Sequence, residues 1–213
     1  MTEIDQSILP EMLCDRPQWI CWRETTRNGN KTKISIDPTT GAYGSATDDR
    51  TWNDLETALS YIKTGDATGL GFVFTKTDPI VGIDLDKCRD PEIGRPDEDA
   101  KTIIQQLDSY TEVSPSGTGY HVLIEGELPE GRNRRGSIEM YDQARFFTVT
   151  TNHVAGTPTT INDRQDALTA VYEEFVADDT EERAVDSQSD IDRSAANRTQ
   201  NNRTETSTLS DDR

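Results

Sequence analysis

The sequence predicts an α+β domain, and three observations carry that prediction. Short apolar runs alternating with polar residues recur from about residue 17 to residue 150. Three longer stretches instead repeat their apolar residues at helical spacing, and clusters of Gly, Pro, Asn and Asp separate the two kinds of segment.

Residues 17–23, with Trp19 and Trp22, read as a strand, Asn28-Gly29 as a turn, and residues 33–36 as the returning strand of a hairpin. Asp37-Pro38-Thr39-Thr40-Gly41 is a second turn. Thr51 is expected to cap a helix, with Asp54 three residues on and Leu55, Ala58, Leu59 and Ile62 on its apolar face. Two apolar strands follow at residues 70–74 and 80–86, joined by Thr77-Asp78-Pro79. Glu98–Leu107 places Ile103, Ile104 and Leu107 on one helical face, and strands are expected at 110–113, 120–125, 137–141 and 145–150. Asn162 with Gln165 is expected to open a last helix striped by Leu168, Val171, Tyr172 and Phe175. These elements make one domain over residues 1–176. Residues 177–213 hold almost no large apolar side chains, so burial cannot offset their ordering entropy; they are expected to be a disordered acidic and polar tail or linker.

A net charge of -18 argues against gripping nucleic acid by bulk positive charge, so any polyanion must be met locally. Lysine is scarce while Asp and Thr are plentiful, which suits either high salt, where the Debye length falls to about 3 Å, or simply an acidic protein of ordinary salt. Three cysteines without a Cys-x-x-Cys pair fit neither a disulfide scaffold nor a zinc quartet and read as reduced packing residues. No signal peptide and no apolar run of about 20 residues is present, so a cytoplasmic protein without membrane association is expected.

Chemistry concentrates in four segments. In Val81-Gly82-Ile83-Asp84-Leu85-Asp86 two carboxylates alternate with apolar residues, which puts both on one face of a strand. Two like charges that close call for a cation, and hard oxygen donors select Mg²⁺ or Mn²⁺, although an isolated Asp-x-Asp is also an ordinary solvated strand end. Ser137-Ile138-Glu139-Met140-Tyr141 repeats this grammar and adds a third acid. In Ser114-Pro115-Ser116-Gly117-Thr118-Gly119-Tyr120-His121 a loop of small residues leads into a strand bearing one of two histidines. Glycines let backbone amides approach an anion and hydroxyls add donors, so the loop either holds phosphate or only reverses the chain. His121 is likewise either a ligand-binding or a structural histidine. Arg132, Arg134 and Arg135 crowd one turn and Arg145 opens the next strand; their planar forks suit phosphate, and a solvated loop is the equal alternative.

The order of Trp19 and Trp22, Gly82-Ile83-Asp84-Leu85-Asp86, Ser114 to His121, Glu139-Met140-Tyr141 and Arg145-Phe146-Phe147-Thr148-Val149-Thr150 resembles the primase-polymerase domain of phage and plasmid replication proteins, within the archaeo-eukaryotic primase superfamily. The resemblance covers about residues 14–176. It is to the branch typified by phage NrS-1 polymerase, common in haloarchaeal genomes. It implies a catalytic core with an RNA-recognition-like antiparallel sheet plus an N-terminal αβ unit. It further implies a template-dependent nucleotidyltransferase, a DNA polymerase or primase, serving the replication of a phage, plasmid or other mobile element. Asp84, Asp86 and Glu139 would hold two divalent ions, Mg²⁺ or Mn²⁺. His121 and the loop at Ser114, Ser116, Gly117 and Gly119 would contact the incoming triphosphate, with Arg145 assigned to triphosphate or template phosphates. The implied partners are a DNA template and primer, ribo- or deoxyribonucleoside triphosphates, and a helicase domain or replicative helicase. This stretch carries no helical-bundle or helicase pattern, so polymerase or partial primase activity is the expectation. The alternatives are a catalytically silent replication-initiation or DNA-binding module and a metal-dependent nuclease.

Overall fold

The computed structural model describes residues 4–27 and 29–177. They contain four α-helices and nine β-strands arranged as two antiparallel sheets, and residues through Ala177 form one unit. The expected tail over 177–213 lies, beyond Ala177, outside the described residues.

After the short helix α1 (Glu11–Cys14), β1 (Trp19–Arg27) and β2 (Asn30–Ile36) form the expected hairpin, paired from Cys21↔Ile36 to Arg27↔Asn30. Helix α2 (Leu55–Ile62) starts later than expected. Its cap is Asp54, whose Oδ1 accepts from the Thr57 amide at 2.7 Å, whereas Thr51 closes a separate 3₁₀ turn. Both residues are good caps; Asp54 is the one directly before Leu55, where the apolar stripe begins. Strands β3 (Gly69–Phe74) and β4 (Ile80–Leu85) follow, then α3 (Glu98–Leu107), capped by Asp97. The strands β5 (Thr111–Val113), β6 (Tyr120–Glu125), β7 (Arg134–Arg135), β8 (Ile138–Tyr141) and β9 (Arg145–Val149) lead to α4 (Gln165–Phe175). Asn162 does not cap α4: its amide nitrogen donates to the Asp108 carbonyl, and the residue before the helix, Arg164, makes no side-chain cap.

Although β3 and β4 are consecutive, they lie in different sheets. One sheet has the order β2-β1-β3-β9, the other β5-β6-β4-β8-β7. The N-terminal part of the chain therefore does not build its sheet alone, because β9 closes its edge through Phe72↔Phe147 and Leu70↔Val149. Helices α3 and α4 cover one face of the five-stranded sheet, burying Val81, Ile83, Val122, Ile124 and Met140 against Ile103, Leu107, Leu168 and Val171. On the opposite face, Ile80 and Leu123 join the core of the four-stranded sheet, with Trp19, Phe72, Phe74 and Phe147, while α2 supplies Ala58 and Ile62 to the same core. Each such large apolar side chain contributes about 1.5–3 kcal/mol on burial. Edge-to-face contacts run from Trp19 to Phe72 (5.3 Å), Phe74 and Phe147. Gly82 lies where the sheets meet, and a Cβ there would stand 2.5 Å from Phe74 Cζ and 2.7 Å from Phe147 Cε2. The sheets thus pack directly below Asp84.

Candidate active site

Strand register builds the site. Across the five-stranded sheet Glu112 pairs with His121, His121 with Asp84, Asp84 with Glu139, and Glu139 with Arg134. Directly opposed residues of antiparallel strands project from the same face. One polar row therefore crosses all five strands, at the end of the sheet beyond the aromatic packing. Phe147 ends that packing against the His121 ring, with centroids 4.9 Å apart.

The row brings three of the expected site residues together. His121 Nε2 stands 3.8 Å from Asp84 Oδ1, and its Nδ1 lies 3.4 Å from Glu112 Oε1. Asp84 is central in the sheet and partly buried, while Asp86 lies just past the strand end and is exposed, although its amide still donates to the Ser137 carbonyl at 2.9 Å. The pKa of Asp84 is raised, by burial first. His121 opposes this, Asp86 and Glu139 reinforce it, and Lys33 opposes it. Glu139 is buried yet answered on both oxygens: Oε1 by Arg134 at 2.9 Å, Oε2 by the Tyr141 hydroxyl at 2.6 Å and by Arg145 at 3.7 Å. Arg145 also lies over the Tyr141 ring, 4.8 Å from its centroid.

A hollow of about 400 Å³ opens beside the row, lined by Lys31, Lys33, Asp84, His121, Arg145 and Thr148 among others. A second, of about 560 Å³, shares Lys31 and Lys33 and runs along Trp22 and the loop Ser114-Pro115-Ser116-Gly117. Five side-chain polar atoms among the described residues are buried without a hydrogen bond, and three of them, Asp84 Oδ1, Thr148 Oγ1 and Trp22 Nε1, belong to residues lining these two hollows. Such atoms are costly in a folded protein and are expected where a ligand completes them.

The small-residue loop walls the second hollow and is bonded within itself. Ser114 Oγ and Ser116 Oγ are 3.0 Å apart, Ser116 Oγ and Thr118 Oγ1 2.9 Å, and Arg89 Nη1 donates to the Gly117 carbonyl at 2.7 Å. The residue before Tyr120-His121 has to be glycine, since a Cβ on Gly119 would collide with the Leu85 carbonyl at the end of the Asp84 strand. Of the arginine turn, Arg134 reaches the row, pairing with Glu139; Arg132 Nε donates to the Arg134 carbonyl and Arg135 Nη1 to the Ala177 carbonyl.

Oxygen donors on one face, one of them buried and unpartnered, suit a hard divalent cation in kind. As the side chains stand, no group of three or more His, Cys, Asp or Glu among the described residues is arranged to hold a metal ion. Glu139 is one physical reason, since its oxygens are directed to Arg134, Tyr141 and Arg145.

Sequence reasoning overlooked three members of this site. Glu112 is 2% exposed, and its carboxylate accepts from the Thr150 and Thr151 amides at 3.0–3.1 Å and from the Tyr110 hydroxyl, besides facing His121. An acid between Thr111 and Val113 in a short expected strand was the available signal. Lys31 and Lys33 reach the cleft from the β2 strand, and nothing local announces it. The Lys33 ammonium lies 5.3 Å from the Trp22 ring centroid; its pKa is lowered by desolvation, against the pull of Asp84 and Asp86. The second histidine, His153, is structural, bonded to the Pro158 carbonyl and Thr157. The cysteines are free as expected, and burial raises Cys21 and Cys88 to about 12. No helix among the described residues is long and apolar enough to cross a membrane.

No family model matches the chain. It is 37% identical over 139 residues to the DNA primase-polymerase of Nitratiruptor phage NrS-1. The matched stretch takes up 62% of this chain and 19% of that protein, so the chain spans about a fifth of the relative's length. The identity supports a primase-polymerase relationship.

Proposed function

We propose that this chain is the nucleotidyl-transfer core of a replication protein, adding nucleotides to a primer on a DNA template. The observation that carries the reading is the register that sets His121, Asp84 and Glu139 side by side on adjacent strands, facing a cleft lined by cations and a hydroxyl-rich loop. Its similarity to a protein named a DNA primase-polymerase supports the same class of chemistry.

In this reading Asp84, Asp86 and Glu139 are the residues that would hold Mg²⁺ or Mn²⁺, which when bound lowers the charge barrier to in-line attack of a hydroxyl on the α-phosphate. The residues of the chain do the positioning. The Ser114 to Gly119 loop offers a wall of hydroxyls, and Lys31, Lys33 and Arg145 supply positive charge within the hollows. His121 projects into the same cleft, its ring held between Glu112 and Phe147, so Nε2 is directed to Asp84 and to whatever lies beside it. To serve as such a ligand, Glu139 would have to give up its contacts with Arg134 and Arg145, and both arginines would then be free to face phosphate.

The experiment is incorporation of labelled nucleotide on a primed template with Mg²⁺ or Mn²⁺ at high salt. The expected result is primer extension by the native protein and a loss of at least about a hundredfold in Asp86→Asn, which removes a charge but no core packing. Shortening of the primer would make the protein a nuclease, and an unchanged primer would make it a silent DNA-binding module.

A further inference from the structure

We infer that the outer end of the β1–β2 hairpin, with Tyr43 and Phe146, is a seat for a base of single-stranded nucleic acid running out of the cleft. The chain returns along β2 after the turn at Asp37 to Gly41, where Gly41 N donates to Asp37 O at 2.8 Å, and Tyr43 bridges to Ile36. Tyr43 is 76% exposed, the most exposed large apolar side chain among the described residues. It borders a hollow of about 640 Å³ whose other walls include Thr25, Thr32, Lys33, Ile34 and Phe146.

Three properties select the occupant. Lys33 and Phe146 also line the hollow that holds Asp84 and His121, so the two spaces adjoin and one extended ligand can occupy both. Among the described residues, no acidic one lines the outer hollow, in a chain with 40 Asp and Glu. Its lining combines aromatic rings, hydroxyls and one lysine. Flat rings offer stacking to any base, hydroxyls and an ammonium answer the phosphodiester, and this pairing of stacking platform with local positive charge is how single strands are bound without sequence readout. A folded protein partner would be expected to need a larger apolar patch than one tyrosine beside threonines. The placement of the strand rests on the reading of Asp84 and His121 as the transfer site; the binding itself does not.

The test uses the full chain and fluorescein-labelled oligodeoxythymidylate, followed by anisotropy over a range of salt. Tyr43→Ala is expected to weaken binding about tenfold, the loss of one base stack. Tyr43→Trp is expected to bind as tightly as the native protein, and the salt dependence of Tyr43→Ala is expected to stay native, because no phosphate contact is removed. Circular dichroism of Tyr43→Ala checks the fold, which the exposure of the side chain leaves intact. Native affinity in Tyr43→Ala, equal weakening in Tyr43→Trp, or no binding of the oligonucleotide by the native protein would each overturn the inference. If the native protein extends no primer but Tyr43-dependent binding persists, the transfer reading fails and this one stands; extension with Tyr43-independent binding gives the reverse.

Discussion

Asp84 sets the energetics of the site at the scale of a single residue. Its carboxylate is partly buried, one oxygen accepts no hydrogen bond, and Asp86 and Glu139 crowd it, so its pKa in the folded chain lies above the ordinary carboxylate value. A raised carboxylate pKa means the fold favours the protonated form: that contribution is fully present below the unfolded pKa and is lost as pH rises through the folded one. Asn carries no such dependence. In the absence of divalent ions, Asp84→Asn is therefore expected to melt a few degrees higher than the native protein near neutral pH, with the difference vanishing below about pH 4, where both side chains are neutral. Thermal melts across this range decide it; a mutant that melts lower at neutral pH would mean that His121 and Lys33 already compensate the charge. The Asp-x-Asp pattern revealed Asp84 in the sequence, but the residues that answer it come from strands more than thirty positions away, and no local pattern announces them.

At the scale of elements, the site is a product of pairing register. A slip of one residue between β4 and β8 would turn Glu139 into the α3 and α4 core and bring Met140 to the cleft, so the apolar alternation of these strands fixes the chemistry along with the packing. Strand positions were legible in the sequence for this reason, since alternation with period two is local: the expected strand at Tyr120–Glu125 and helix at Glu98–Leu107 coincide with the observed ones. The division into two sheets was not legible. It depends on which strands pair, and β3 and β4, joined by a short turn, look like a hairpin while pairing elsewhere. Helix starts failed at Thr51, where Asp54 makes the cap instead, and at Asn162, whose side chain bonds to Asp108 while α4 begins without a side-chain cap. The sheets touch at Gly82, and Gly82→Ala is expected to cost about 1–3 kcal/mol in chemical denaturation, because Phe74 and Phe147 must both move. A variant as stable as the native protein would show that the sheets can slide apart there without loss.

Over the whole molecule, the charge balance works against an anionic ligand. The chain carries a net charge of -18, yet the hollows beside the row are lined by Lys31, Lys33 and Arg145. Screening at high salt removes long-range repulsion and leaves these local cations to act. The short strand β9 ties the halves together, completing the four-stranded sheet while contributing Arg145 and Phe147 to the row built on the other sheet. The central claim is that this row of acids holds divalent cations beside a nucleotide. Titration of Mn²⁺ followed by electron paramagnetic resonance, with a non-hydrolysable nucleoside triphosphate present, tests it most directly. The account predicts saturable Mn²⁺ binding by the native protein, weakened at least about tenfold in Asp84→Asn and in Glu139→Gln; equal binding by the native protein and both variants would contradict it.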